Sequence, residues 1–168
     1  MATTLEKTDL KQNSMIKALA KEGKYLTFFL GKEEYGVEIL EVREIIGLME
    51  ITQVPQVPDY VKGVINLRGK VIPVIDIRLK FSMESIAYTT ETCIIVLNVK
   101  EILMGIIVDT VSEVLDVSEK DIEPAPSFGS KLQTDFILGM AKVDGKVKIL
   151  LDIAKVLTED VILVNELD

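Results

Sequence analysis

The 168-residue sequence has no histidine, no tryptophan and one cysteine. Without histidine there is no imidazole general base, no Ser-His-Asp triad and no His-ligated metal site. Cys93 alone forms no intramolecular disulfide and no thiolate cluster. Lying in the apolar run 93–97 it reads as a core residue, and such sparse cysteine suits the cytoplasm. Aromatic residues reach only 5%. Positive charge is also scarce: 19 Lys and Arg stand against 27 Asp and Glu, a net charge of -8. That balance argues against coating nucleic acid, which takes a dense Lys/Arg surface, and against attachment to an anionic membrane leaflet. The longest stretch free of charged or polar side chains is seven residues, 102–108. A membrane-spanning helix needs ~20. Residues 1–13 contain acids and no apolar core, so they do not read as a secretory signal.

What the chain has in abundance is β-branched bulk. Val and Ile together supply 39 of its 168 residues, which favours sheet over helix and supports a large core. Residues 1–24 differ: they are polar and Lys-rich, and Leu10, Met15, Ile16, Leu19 and Ala20 mark at most one weak helical stripe. A tail with a marginal helix is the plainer reading there. From Tyr25 strand patterns follow at 25–30 and 35–39 around a turn at 31–34, and at 40–46. The Pro-punctuated 54–58 is a connection that a central strand does not tolerate. Segments 64–67 and 71–75 flank Arg68-Gly69-Lys70 as a hairpin, and Asp76 is placed to cap a helical turn at 77–81.

The pattern then recurs. Sliding the chain by 76 positions aligns 59–81 with 135–157, with seven identities in 23 pairs, among them Gly63/Gly139, Gly69/Gly145 and Asp76/Asp152. Sliding by 69 aligns 35–46 with 104–115, pairing Gly36/Gly105, Val42/Val111 and Glu44/Glu113. The change of offset leaves about seven extra residues in the second copy, between Pro124 and Asp135, around Pro126-Ser127-Phe128-Gly129. Two units of this length are too few for a solenoid and too short for propeller blades. Each has about five short strands, which suits a small, partly open barrel, and two such barrels side by side leave a groove. On this division residues 25–90 form one lobe and 91–168 the other with a C-terminal segment. The acidic excess lies wholly in the second: 12 basic and 12 acidic residues in 1–90, 7 and 15 in 91–168. The paired glycines Gly63/Gly139 and Gly69/Gly145 fall where a bend or a positive φ is expected.

Motifs that suggest chemistry do not survive inspection. Gly63 to Lys70 imitates a phosphate loop, but five residues separate Gly63 from Gly69 where that loop has four, and Val71 replaces the metal-binding Ser/Thr. The acidic pairs Glu41/Glu44 and Asp109/Glu113 lack the cleft and raised pKa that glycosidase carboxylates need. No catalytic, cofactor or metal constellation emerges, which leaves a binding module. Two residues point to partners. Arg68, one of three Arg, sits at a hairpin tip where its guanidinium holds a carboxylate or is simply solvated. Phe128 in the extra segment either anchors a partner or packs on its own barrel.

Four segments resemble the CheW-like domain family of bacterial chemotaxis: YLTFFLGKEEYGVEILEVREI (25–45), VPQVPDYVKGVINLRGKVIPVIDIRLKF (54–81), MGIIVDTVSEVL (104–115) and IEPAPSF (122–128). The likeness spans about 25–157. It implies an all-β fold of two five-stranded SH3-like barrels packed side by side, with short helical segments near the termini. It also implies a non-enzymatic, cytoplasmic adaptor without cofactors, joining the cytoplasmic signalling tip of chemoreceptors to the regulatory domain of the histidine kinase CheA in a membrane-associated array. By the same resemblance the receptor tip contacts Ile39, Val42, Glu44, Ile45, Arg68, Val111 and Val114, with Glu44 the ion-pair partner of Arg68. The kinase contacts fall on Glu123, Ser127 and Phe128, Glu123 standing where some relatives have a basic residue. Gly63 and Gly105 match sensitive glycines, for shape more than contact. The alternatives are a small-ligand-binding double barrel, a scaffold of the same family in a non-chemotaxis sensory array, and an enzyme with a cleft of shifted carboxylates or lysines.

Overall fold

The structure, a computed structural model, describes residues 23–125, 136–157 and 160. The helical stripe expected in the N-terminal segment lies outside these residues, as do Ser127 and Phe128. Copy one contributes β1 (Lys24–Leu30), β2 (Glu33–Glu38), β3 (Val42–Gly47), β4 (Val61–Leu67), β5 (Lys70–Asp76) and the helical turn α1 (Ile77–Lys80). Copy two contributes β6 (Cys93–Val99), β7 (Ile102–Val108), β8 (Thr110–Asp116), β9 (Ile122–Glu123), β10 (Ile137–Val143), β11 (Lys146–Leu151) and α2 (Ile153–Val156). Asp76 caps α1 as expected, accepting from the Arg78 and Leu79 amides, and Asp152 caps α2 through the Lys155 amide. The expected strand at 40–46 begins later. Ile39–Glu41 form a 3-10 turn that drives Ile39 inward and leaves Leu40 exposed.

The strands form two sheets, as the all-β expectation required: six strands in the order β8-β1-β2-β11-β10-β9 and five in the order β3-β6-β7-β5-β4. The sixth strand, β9, is two residues long; its counterpart in the other sheet is a single bridge between Thr52 and Val64. In both cases the chain leaving the first strand of the sheet returns to pair beside its far edge, so each sheet curls into a partly open barrel.

The sheets do not divide the chain at residue 90. Hairpin β1–β2 lies in the sheet built by copy two, and hairpin β6–β7 in the sheet built by copy one. The joints correspond residue for residue. Gly36 pairs with Leu150 across the parallel β2–β11 joint, and Gly105 with Val74 across β7–β5. Both glycines are small for a reason: a Cβ on Gly36 would lie 2.9 Å from Leu150, and one on Gly105 2.8 Å from Ile94. Exchange is favoured because a hairpin placed centrally in a sheet buries both of its faces. In β6, Ile95 and Leu97 enter a core shared by both sheets, while Ile94 and Val96 enter a smaller one with Ile65, Ile72 and Val74. The shared core also takes Leu26, Phe28 and Val37 from the first hairpin and Leu151, Ile153 and Leu157 from the chain end. Each fully buried aliphatic side chain contributes about 1.5–3 kcal/mol. A ladder of rings, Phe28–Tyr35–Phe81–Phe136 with centroids 5.5–6.0 Å apart, crosses from copy one to copy two.

Candidate functional site

The β4–β5 hairpin turns on Arg68 and Gly69, at φ 52° and 87°, and the β10–β11 hairpin on Asp144 and Gly145, at 51° and 77°. Positive φ at both central residues matches the right-handed twist of the strands. The Asn66 side chain accepts from the Gly69 amide at 2.8 Å and secures the first turn. A left-handed backbone is costly for arginine, and here it directs the side chain at Glu44. Arg68 Nη2 forms an ion pair and hydrogen bond with Glu44 Oε1, the pairing implied by the family resemblance. Arg68 remains 69% exposed while Glu44 is 15% exposed. The carboxylate is thus held near the sheet and the guanidinium stands out from it with further donors open to a partner.

Glu44 owes its position to a bulge. Val42 pairs with Leu97 and Glu44 with Val96, so Arg43 is the extra residue, and a matching irregularity occurs in β8. Beyond the bulge Ile45 turns fully into the shared core, beside the fully buried Ile39. These two residues of the expected receptor set offer no side-chain surface; they support Val42 and Glu44 from beneath. Val42 of one sheet and Val111 and Val114 of the other are half-buried and pack on that same core. Of the residues expected to meet a kinase, Glu123 is on β9 with its carboxylate 2.6 Å from Lys142 Nζ, both exposed. The glycines have structural duties. Gly63 sits at a bulge with φ 140°, and a Cβ there would lie 2.0 Å from the Thr52 carbonyl. Gly139 lies at the matching bulge of β10, against Ile122 and Glu123 of β9. The stretch that imitates a phosphate loop is simply this hairpin.

Two clusters were not read from the sequence. Lys148 Nζ lies 3.0 Å from Glu34 and 3.2 Å from Glu113. Burial pulls its pKa down, but the two carboxylates more than offset this and hold it above the ordinary lysine value. The signal was available: Lys148 occupies the place of the apolar Ile72 in the repeat, and Glu34 that of Leu103. Thr27 Oγ1 closes the bulge beside Glu113, donating to its carbonyl and accepting from its amide, both at 3.1 Å. The second cluster centres on Asp109, which receives Arg78 Nε and Nη2 at 2.8 and 2.9 Å and the Gly31 amide at 2.7 Å. Burial acts to raise its pKa, yet the guanidinium and the amide prevail and leave it below the usual carboxylate value. That is opposite to the tuning a glycosidase acid requires. Among the described residues no group of His, Cys, Asp and Glu is arranged for a metal ion, and no helix is long and apolar enough to cross a membrane.

Comparison with known proteins agrees with this architecture. The chain is 43% identical over 136 residues to "Chemotaxis protein CheW" of Klebsiella aerogenes, covering 81% of this chain and 82% of that one. It is 38% identical to the protein of the same name from Rhizobium meliloti, covering 83% and 91%. The solved structure of the scaffolding protein TtCheW from Thermoanaerobacter tengcongensis matches with a TM-score of 0.74 at 36% identity, over 80% of this chain and 92% of that one. The CheW-like domain model itself matches residues 24–161, and the chain belongs to the CheW-like domain family.

Proposed function

We propose that the protein is an adaptor of bacterial chemotaxis that couples chemoreceptor signalling tips to the histidine kinase CheA and carries out no chemistry of its own. The observation that carries this reading is the exposed Arg68 held by the half-buried Glu44 on a rigid hairpin, in a chain whose relatives are named chemotaxis protein CheW. A helix docked in a groove needs apolar anchors with a polar rim. Val42, Val111 and Val114 serve as anchors, and Glu44 with Arg68 as the rim. Kinase binding is assigned to Glu123 and to Ser127 and Phe128, which follow it in the sequence. Glu44 on β3 and Val111 on β8 belong to different sheets, and the two sheets share one core.

The test is calorimetry with a receptor cytoplasmic fragment and with the CheA regulatory domain in turn. Arg68→Ala weakens the first and spares the second, with melting temperature unchanged. Phe128→Ala does the reverse. Equal loss of both partners in both variants refutes the assignment of faces, and absence of binding to either partner refutes the adaptor reading. A collapse in melting temperature for Arg68→Ala makes that residue structural.

A further inference from the structure

β3 and β8 each form an end strand of a sheet, and they correspond in the repeat, Val42 with Val111 and Glu44 with Glu113. Val42, Val111 and Val114 pack half-buried on the core that both sheets share. Valines at matching positions give a docked helix no means of telling one edge from the other. The charges around them do. At the bulges, exposed Arg43 of β3 stands where β8 has exposed Ser112. At the hairpin tips, exposed Arg68 stands where copy two has exposed Asp144. The two glutamates differ as well. Glu44 is the shielded member of its pair, so the group presented to solvent is the Arg68 guanidinium. Glu113 is 51% exposed, and its partner Lys148, 3.2 Å away, is nearly buried. Lys148 also lies 3.0 Å from Glu34, whose carboxylate balances its charge, so the cluster keeps a net negative charge with Glu113 outermost. Lys70 and Lys146 are the same in both hairpins and distinguish nothing. One edge presents guanidinium groups; its counterpart presents carboxylates.

We propose that these charges set the direction of docking: the β3 edge reads an acidic side chain and the β8 edge a basic one, so that a helix of the receptor tip enters in one orientation, with Glu113 a specificity-determining contact alongside Arg68. This rests on the adaptor reading and adds to it the charge pattern of the helix that is admitted. Apolar burial on the valines is non-directional and rewards both orientations alike. The reversed orientation sets like charges against each other on both edges, which is how electrostatic complementarity suppresses a wrong pose. On the β3 edge the forked guanidinium of Arg68 suits a carboxylate. On the β8 edge Glu113, held by a lysine whose charge is already balanced, accepts from a lysine or arginine of the partner.

Calorimetry of the full chain with a receptor cytoplasmic fragment tests it, with the CheA regulatory domain as the control for an intact fold. Glu113→Gln is expected to weaken the receptor fragment about two- to fivefold, the worth of one exposed charge pair. Glu113→Lys weakens it about tenfold or more, through repulsion. Neither variant changes binding of the kinase domain. Raising salt from about 0.05 M to about 0.5 M shrinks the difference between Glu113→Gln and the parent, because exposed charges are screened. A nitroxide near one end of the receptor fragment should broaden the matched amides Arg43/Ser112 and Arg68/Asp144 unequally in the parent. In the double variant Arg68→Ala with Glu113→Gln the broadening should become nearly equal. Unchanged affinity in both Glu113 variants, equal loss of both partners, or equal broadening in the parent overturns the proposal and leaves the adaptor reading standing. Failure of the parent chain to bind the receptor fragment at all overturns that reading, and the proposal with it.

Discussion

At position 72 copy one buries isoleucine in a small apolar cluster that Leu103 packs against, while at the matching positions copy two sets Lys148 against Glu34. Lys148 is 9% exposed and Glu34 11%. Both charges have left most of their water, so their attraction is set against a large desolvation cost. Lys148→Ile alone strands Glu34 and is expected to cost about 3 kcal/mol in urea unfolding. Adding Glu34→Leu recreates the arrangement of copy one and should return stability to within about 1 kcal/mol of the parent or above it. An additive loss would show that the lysine contributes through Glu113 instead. Asp109 behaves differently, because its pKa is lowered on folding and its stabilisation therefore needs the ionised form. The advantage of the native chain over Asp109→Asn is full above the unfolded carboxylate range near pH 4 and disappears as pH falls through the lower folded value. Paired melting curves from pH 7 to pH 2 measure it. The hairpin tip marked Arg68 in the sequence, but its pairing with Glu44, 24 residues away, was implied by the family resemblance and by no local pattern. The resemblance also put Ile39 and Ile45 among the receptor contacts, and alternation did not sort buried from exposed there, because a 3-10 turn and a bulge shift the inside–outside phase.

Hairpins were the most legible elements. Their turns need positive φ, and Arg68-Gly69 and Asp144-Gly145 state that need in residue types. The helical turn after Asp76 was legible through its cap, and the identity Asp76/Asp152 in the repeat marks the place of the second. The pairing partner of each hairpin was not. An apolar strand buried on both faces satisfies its pattern beside either copy, so alternation carries no information on which sheet receives it. The glycines separate these local and non-local demands. A methyl on Gly69 meets nothing within 4 Å, so Gly69→Ala bears only the backbone penalty of φ 87°, about 1–2 kcal/mol. Gly63→Ala adds a carbon 2.0 Å from the Thr52 carbonyl, where only backbone can yield. That strand must leave the Thr52 bridge, and the loss should exceed about 3 kcal/mol, past the usual limit for overpacking. Thermal melts of both variants, with amide exchange at Thr52 and Val64, distinguish them: exchange accelerates at both sites in Gly63→Ala and at neither in Gly69→Ala.

Because each sheet contains strands from both copies, neither copy holds a complete barrel. Residues before the 82–92 connection supply three strands of one sheet and two of the other, and the shared core takes side chains from both sides of it. Most stabilising pairings are therefore distant in sequence: β1 with β8, β2 with β11, β3 with β6 and β5 with β7. Such a topology must close long loops before burial is gained, so folding should be slow for a chain of this size. It should also be all-or-none. A chain cut after Tyr88 puts this to the test. Fragment 1–88 lacks the central hairpin of its sheet, β6–β7, and fragment 89–168 lacks β1–β2; each alone exposes apolar strand edges and should be unfolded or aggregated by circular dichroism. Mixed, they should regain the native spectrum and melt in one transition, with dichroism and tyrosine fluorescence coincident. A cooperative melt by either fragment alone would mean that a barrel is completed within one copy and that the exchange is not what holds the molecule together. A coincident melt of the mixture would show that the two sheets, joined by one shared core, unfold as a single body.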